Sequence, residues 1–184
     1  MITVPIIKIN IEKTIAFQIG TNYGQKVIGQ TYGLKWETEY ISLLGICITD
    51  NEDKNYSLNF QNRIQSMQSL TRICRQRQLS LKGKITIINA LLIPKLVYPA
   101  TNLILPHRVY DEVDTLLFNF LWDNKPHKIR KDVIIRKIKD GGLKMLNFRI
   151  KVKSWKCLWV KRAELSNPDS LWMTILNSML PANT

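Results

Sequence analysis

The repeat of apolar residues changes once along this 184-residue chain, and that change constrains the fold more than any other feature. Over residues 6–19, isoleucine and phenylalanine alternate with polar side chains, and residues 40–49 hold a second apolar segment around Gly45. Alternation predicts β-strands, and a glycine within a strand often marks a bulge or the close approach of another backbone. After residue 55 the apolar residues are spaced as on one face of a helix. The sequence therefore predicts an α+β fold that is mostly α.

The helical part begins with an apolar stripe that runs from Phe60 to Cys74. Ser80 is predicted to cap a second helix, which runs from residue 82 towards 93, where Pro94 ends or kinks it. A third helix is bracketed by Pro106 and Asp123. Three acids are assigned to its first turn, where they would favour the helix dipole. These acids are Asp111, Glu112 and Asp114.

Beyond residue 123, a turn at 123–127, a short basic element over 128–139 and a glycine turn at 140–142 are predicted. Two further helices follow. One carries Val152, Trp155 and Trp159 at helical spacing, and the other covers residues 171–180. The residues predicted to form the core of the central helices are Ile85, Ile88, Leu92, Leu116 and Phe120.

The chain is strongly basic, with a formal net charge of +13 at pH 7, and its cations are concentrated in two stretches. From Lys54 to Val109 there are nine Lys or Arg residues and no Asp or Glu. From Lys125 to Arg162 there are fourteen Lys or Arg residues and two acids. Because 45% of the residues are hydrophobic, the chain is expected to fold rather than to form a disordered tail. Such a surface attracts phosphates by Coulomb steering and counterion release, so a polyanion is the predicted partner.

The same composition argues against several classes of site. The cysteines lack C-x-x-C spacing and the histidines lie twenty residues apart, so neither a disulfide framework nor a metal site is predicted. The apolar stretch over residues 1–13 is too short and too interrupted for a signal peptide or a membrane span. An intracellular, reducing compartment is expected. The residues concerned are Cys47, Cys74, Cys157, His107 and His127.

Six short motifs then occur in order along the chain: KINIEKT at 8–14, LLGI at 43–46, RQLSLKGKITIIN at 77–89, LVYP at 96–99, FLW at 120–122 and DGGLKMLNF at 140–148. Each motif alone is weak, but the collinear set resembles the reverse transcriptase of non-LTR (LINE-type) retrotransposons, in the part that follows the catalytic aspartates. The resemblance covers roughly residues 8–162. It implies a small β-hairpin remnant of the polymerase palm in residues 1–50, a helical thumb bundle in 51–123 and a basic helical connector in 124–184.

The resemblance also assigns roles to particular residues. Lys13 would approach the phosphates of the incoming nucleotide, but only in the context of a complete polymerase; a lysine suits this role because it is a mobile charge with transferable protons. A primer-grip turn and a set of thumb cations that track phosphates are also implied, and such contacts position a duplex without reading its sequence. The implied nucleic-acid-binding residues are Leu44, Gly45, Ile46, Arg72, Arg75, Arg77, Lys82 and Lys84.

Three tryptophans raise a further question. Trp122, Trp155 and Trp159 could stack on unpaired bases of an RNA, because base–aromatic stacking tolerates any sequence. Tryptophans spaced four residues apart on a helix are, however, more often packed in a core.

The chain contains no Asp-Asp pair. Two-metal phosphoryl chemistry needs paired carboxylates, so catalysis is not expected from this chain alone, and Mg²⁺ would belong to a catalytic palm that is missing from it. No cofactor is expected in the chain itself. The resemblance therefore implies a fragment of an RNA-directed DNA polymerase with residual, sequence-independent binding of RNA, DNA or an RNA–DNA hybrid. The missing amino-terminal part of the polymerase is a further partner that it implies.

Two alternatives stay open. A stand-alone basic helical RNA-binding or interaction module with a host role would bind similar ligands, but a defined RNA or partner should be bound with a smaller salt dependence. A peripheral membrane protein is the second, since basic helices with tryptophan also suit anionic lipid surfaces. The lysines near Trp155 are spread around their helix rather than gathered on one polar face, which disfavours the membrane alternative.

Overall fold

The computed structural model describes residues 10–17, 33–166 and 170–179. The glycines and Asn22 within residues 20–33 predict a loop or an irregular hairpin, and Asn167-Pro168 predicts a helix end. Most of the first segment and all of the second lie outside the described residues. Over these residues the architecture is α+β and mostly α, as predicted, with four short strands followed by helices. None of the described helices is both long and apolar enough to span a bilayer.

The strands form two separate two-stranded sheets. β1 (Ile15–Phe17) runs parallel to β2 (Lys35–Glu37), with Ala16 opposite Trp36. β3 (Ile41–Leu43) and β4 (Ile46–Ile48) form an antiparallel hairpin in which Ser42 lies opposite Cys47. The hairpin confirms the β-structure predicted for residues 40–49.

Two details of the strands differ from the prediction. Ile11–Lys13 is a single 3₁₀ turn rather than a strand, because the Asn10 side chain accepts a hydrogen bond from the Lys13 backbone N–H and caps that turn. Gly45 lies in the two-residue turn of the hairpin rather than in a bulge. Leu44 and Gly45 have φ values of +50° and +79°, the positive pair that a type I′ hairpin turn requires.

In the described part of the chain, the α-helices follow directly on the hairpin. Wider π-helical turns at Tyr56–Gln61 and Ile88–Leu92 join neighbouring helices, and a 3₁₀ turn covers Ile138–Asp140. The α-helices are α1 (Glu52–Asn55), α2 (Asn62–Arg75), α3 (Leu81–Ile87), α4 (Pro94–Asn102), α5 (His107–Trp122), α6 (Lys131–Ile135), α7 (Phe148–Leu165) and α8 (Leu171–Met179).

The helix ends largely confirm the predictions from local sequence. The Ser80 side chain accepts from the Gly83 N–H and caps α3. Pro94 occupies the first position of α4, where the missing N–H of proline costs nothing. Pro106 and Asp123 flank α5, and Asp123 adopts the left-handed conformation at φ +52°. The assignment of three acids to the first turn of α5 is wrong, because the helix begins at His107 and its first turn holds no acid.

The core is centred on α5, which packs against α2, α3 and α7. Seven of its side chains are buried: Val109, Val113, Leu117, Phe118, Phe120, Leu121 and Trp122. Ile85, Ile88, Leu92 and Phe120 are buried as predicted, and Leu116 packs partly buried against them. The same core extends to Ile134, Met145, Phe148 and Val152, so it includes residues on both sides of the boundary predicted at 123. That boundary stays a prediction.

Two buried or half-buried asparagines hold extended backbone against the helices. The Asn59 amide accepts from the Cys47 N–H and donates to the Cys47 carbonyl, both at 2.8 Å, and so satisfies β4 from the π-helical turn. Asn89 does the same for the segment before α7, donating to the Lys144 carbonyl and accepting from the Leu146 N–H, both at 3.0 Å. Buried backbone N–H and C=O groups need such partners. Each side-chain amide therefore supplies the pair of hydrogen bonds that a neighbouring β-strand would otherwise provide.

Replacing Asn59 with leucine removes both hydrogen bonds to Cys47. We expect Asn59→Leu to lower the free energy of unfolding by about 1–3 kcal/mol, because two backbone groups lose their partners. Hydrogen exchange of the β4 amides should accelerate more than that of the α5 amides. The matched control is Asn62→Leu, at an exposed position, which should change stability by less than about 0.5 kcal/mol. Equal acceleration in β4 and α5 would contradict a local role for Asn59.

Candidate nucleic-acid interface

The residues predicted for a primer-grip turn lie at the tip of the β3–β4 hairpin. Leu44 is 83% exposed and Gly45 is exposed as well. The Tyr98 hydroxyl of α4 donates to the Leu44 carbonyl at 2.7 Å and so holds the tip against the helices. The Ile46 side chain is buried instead, so Leu44 alone of the predicted trio presents side-chain surface.

Four of the five predicted thumb cations surround the junction between α2 and α3. Arg72 and Arg75 occupy the last turn of α2, Arg77 follows in the connecting segment, and Lys82 is the second residue of α3. All four residues are exposed. Within residues 33–166, no carboxylate lies at ion-pair distance from any of them. Their charge is therefore available to an external anion.

The fifth predicted cation, Lys84, has a different environment. Its side chain is 9% exposed, and its Nζ lies 2.6 Å from a carboxylate oxygen of Asp123 and 3.4 Å from the Leu121 carbonyl oxygen. A phosphate contact would require this ion pair to break. Lys84 is therefore a structural cation that fixes the start of α3 against the end of α5, and its predicted surface role needs correction. The position of Lys84 on its helix does not predict this ion pair, because its partner Asp123 lies 39 residues further along the chain.

The turn after α5 adds cations that the sequence reasoning did not assign. The Arg75 guanidinium donates to the Asn124 side-chain oxygen at 3.1 Å, which brings this turn to the end of α2. Lys125 and Lys128 follow and line a hollow together with Lys84 and Asp123. We call the exposed cations gathered here the basic edge. Its members are Arg72, Arg75, Arg77, Lys82, Lys125 and Lys128.

A groove between α2 and α5 adjoins the basic edge and is lined on one side by Arg72 and Arg75. Its other side carries Asp111 and Glu112, which would repel phosphate if they were unpaired. Asp111 accepts from the Arg149 guanidinium at 3.3 Å, and Glu112 accepts from the Tyr56 hydroxyl at 2.7 Å. The Arg149 guanidinium thus offsets the charge of Asp111, whereas Glu112 keeps its negative charge beside the neutral Tyr56 hydroxyl.

Two titrating groups near α5 reflect its packing. Burial raises the pKa of the Tyr56 hydroxyl, and the hydrogen bond to Glu112 adds to that rise. Burial also raises the pKa of Asp114, while Lys131 and Arg149 act in the opposite direction. A carboxyl or phenol group is neutral or negative at any pH, so neither group adds positive charge to the basic edge.

Lys13 lies in the 3₁₀ turn Ile11–Lys13, and its side chain is exposed. In residues 10–17, 33–166 and 170–179, no three His, Cys, Asp or Glu side chains are grouped as a metal site would need. Among those residues, no such group of side chains lies beside Lys13.

The three tryptophans named as candidates for base stacking differ in how far they are buried. Trp122 is buried and stacks against His127, with ring centroids 6.5 Å apart, so it belongs to the core. Trp155 is partly buried against the same core. Trp159 is 45% exposed, and the Arg162 guanidinium lies 4.9 Å from its ring centroid. Trp159 is the member of this set with a free ring surface.

The Lys84–Asp123 pair can be tested by removing one partner at a time. Asp123→Asn leaves the buried ammonium without its counter-ion, and we expect it to lower the free energy of unfolding by about 1–3 kcal/mol. Lys84→Met removes the buried charge and leaves only the half-exposed carboxylate, so its cost should be smaller.

Urea unfolding of both variants measures this order of stabilities. Asp140→Asn, at an exposed position, is the control and should change stability by less than about 0.5 kcal/mol. If Lys84→Met is the more damaging of the pair, the ammonium does not depend on Asp123 in the way described.

Comparison with known proteins identifies a transposon-encoded relative. No protein-family profile matches the chain. Over 149 residues the chain is 25% identical to a Xenopus laevis protein named "Transposon TX1 uncharacterized 149 kDa protein". The alignment covers 79% of this chain but 11% of the length of the transposon protein. The similarity is therefore to a small part of a much larger transposon-encoded protein.

Proposed function

We propose that the chain is of retrotransposon origin and corresponds to the thumb region of a reverse transcriptase, where it binds the backbones of an RNA–DNA template–primer duplex without reading their sequence. The observation that carries this proposal is the set of exposed cations at the α2–α3 junction. The similarity to a transposon protein supports the origin, and the order of the six motifs supports the assignment to the thumb region.

The chemistry of the basic edge suits phosphates better than base edges. Arginine offers a planar set of donors to phosphate oxygens and lysine offers a mobile point charge. Both types occur on the basic edge, and Arg72 and Arg75 lie three residues apart, hence on one face of α2. In an A-form hybrid the bases are poorly accessible from the deep groove, so contacts fall on the backbones and the shallow minor groove. Binding of this kind positions a duplex without sequence preference.

Binding by the basic edge would also depend on how firmly the helices beneath it are held together. The Lys84–Asp123 ion pair and the Arg75–Asn124 hydrogen bond join the ends of α2, α3 and α5 beneath the basic edge. Exposed cations on a fixed surface lose less freedom on binding than cations on a disordered tail. The exposed hairpin tip at Leu44 and Gly45 would be a second, backbone-mediated contact, as the resemblance to a primer grip implies. Lys13 would act only in a complete polymerase.

The proposal is tested by removing charge from the basic edge. The full chain is titrated onto a fluorescein-labelled RNA–DNA hybrid of about 16 base pairs, between about 50 and 200 mM salt. For the triple variant Arg72→Gln, Arg77→Gln and Lys82→Gln we expect weaker binding. The slope of log affinity against log salt should also fall by about 0.7–0.9 for each phosphate that the variant no longer neutralises.

A matched control removes the same charge elsewhere. Lys137, Lys139 and Lys153 are exposed and lie outside the basic edge, so the triple glutamine variant at these positions keeps the net charge of the test variant. It should retain most of the affinity and of the salt slope. Equal losses in the two variants would show that the whole charge binds the hybrid and that the basic edge has no special part. A small salt slope in the wild-type chain would favour a stand-alone module with a defined ligand.

A further inference from the structure

The carboxyl-terminal helices form a second surface that combines exposed aromatic rings with cations. A cleft of about 730 Å³ lies between α7 and α8, and its lining is mostly apolar. Trp159 and Trp172 both line it and are 45% and 43% exposed. Lys161 and Arg162 lie at the same cleft. We call this surface the tryptophan cleft.

We propose that the tryptophan cleft binds unpaired nucleotides of a single-stranded nucleic acid, with a base stacked on Trp159 or Trp172 and the flanking phosphates held by Lys161 and Arg162. This proposal deepens the proposed function, because it assumes that the chain meets nucleic acid, but it concerns a different surface and a different strand state. Duplex bases are already stacked on each other, so only an unpaired nucleotide can offer its face to an indole.

The charges around the cleft favour an anionic occupant. α7 carries six Lys or Arg residues and one acid, Glu164. The Arg162 guanidinium already lies 4.9 Å from the Trp159 ring centroid, and such cation–aromatic pairs recur where single strands are bound. Within the described residues, no carboxylate forms an ion pair with Lys161 or Arg162. An aromatic ring next to available cations matches the alternation of base and phosphate along a strand.

The distribution of side chains on α7 disfavours a lipid surface as the occupant. A helix that lies on a bilayer separates an apolar face from a cationic face. On α7, exposed Leu158, Trp159 and Val160 are consecutive and are followed directly by Lys161 and Arg162. Three consecutive residues point in three directions around a helix, so the apolar and cationic side chains are mixed rather than separated.

Lys156 shows how α7 is held while this surface stays open. Its ammonium donates to the Leu103 carbonyl at 2.6 Å, beyond the end of α4, and burial lowers its pKa. The amino-terminal half of α7 is thus fixed to the core through Lys156, Phe148 and Val152. The carboxyl-terminal half, with Trp159 and Arg162, extends beyond that contact.

The test compares two labelled strands that differ only in their bases. One is an oligothymidylate of about 12 nucleotides, and the other is an abasic oligomer of the same length and charge. We expect the full chain to bind the oligothymidylate several-fold more tightly and to show quenching of tryptophan fluorescence on binding. Trp159→Ala should weaken binding of the oligothymidylate about 5-fold or more and leave binding of the abasic strand unchanged.

Two further variants separate stacking from folding. Trp159→Phe keeps an aromatic face and should recover part of the affinity that Trp159→Ala loses. Leu171→Ala removes an exposed apolar side chain of α8 that does not line the cleft, and it should bind as the wild type does. Thermal unfolding of each variant identifies any loss that comes from misfolding, and in that event the phenylalanine variant decides.

The outcomes distinguish this proposal from the function proposed above. If Trp159→Ala loses binding of the oligothymidylate but still binds the hybrid, the result supports the tryptophan cleft as a single-strand site. Equal affinity for the two strands, or unchanged binding by Trp159→Ala, overturns it. A third outcome also overturns it. If the oligothymidylate binds neither protein, while anionic vesicles bind the wild type but not Trp159→Ala, the cleft binds lipid instead. Failure of the hybrid to bind, with oligothymidylate binding intact, overturns the duplex proposal alone.

Discussion

Burial of the apolar side of α5 is the constraint on which the rest of the structure depends. α2, α3 and α7 each pack against this helix, and its seven buried side chains form the largest single contribution to the core. At about 25 cal/mol for each Å² of apolar surface removed from water, such side chains contribute roughly 1.5–3 kcal/mol each. The ends of the surrounding helices are therefore positioned relative to α5. The exposed cations of the basic edge lie where those ends meet.

The strong positive charge of the chain has two different uses in this arrangement. Lys84 is buried within the fold, where Asp123 neutralises its charge and the ion pair joins α3 to the end of α5. Arg72, Arg77 and Lys82 stay exposed around that junction. A buried charge needs its partner, whereas an exposed cation keeps its counterions until a phosphate displaces them. One structural ion pair thus holds in place a surface whose remaining charge is free to bind.

Local signals in the sequence predicted the parts of the fold that local physics decides. The apolar stripes, the Ser80 cap, the flanks of α5 and the hairpin at residues 40–49 follow from spacing and capping alone. The burial of Lys84 could not be predicted, because it depends on a partner 39 residues away. The structural role of Asn59 could not be predicted either, because it depends on the backbone of Cys47, with which only the folded chain brings it into contact. At the candidate site, the resemblance implied Arg72, Arg75, Arg77, Lys82 and Lys84, and the first four of these are exposed. Lys125 and Lys128 join them only through tertiary contact.

The most direct test of the central claim is a lysine footprint of the full chain, with and without an RNA–DNA hybrid. An amine-acylating reagent is applied and the modification of each lysine is read by mass spectrometry. If the basic edge binds the duplex, Lys82, Lys125 and Lys128 become protected while Lys137 and Lys139 react as before, and buried Lys84 stays unreactive in both states. Protection of Lys137 and Lys139 to the same degree as Lys82, or no protection of Lys82 under conditions where the hybrid is bound, would contradict the account.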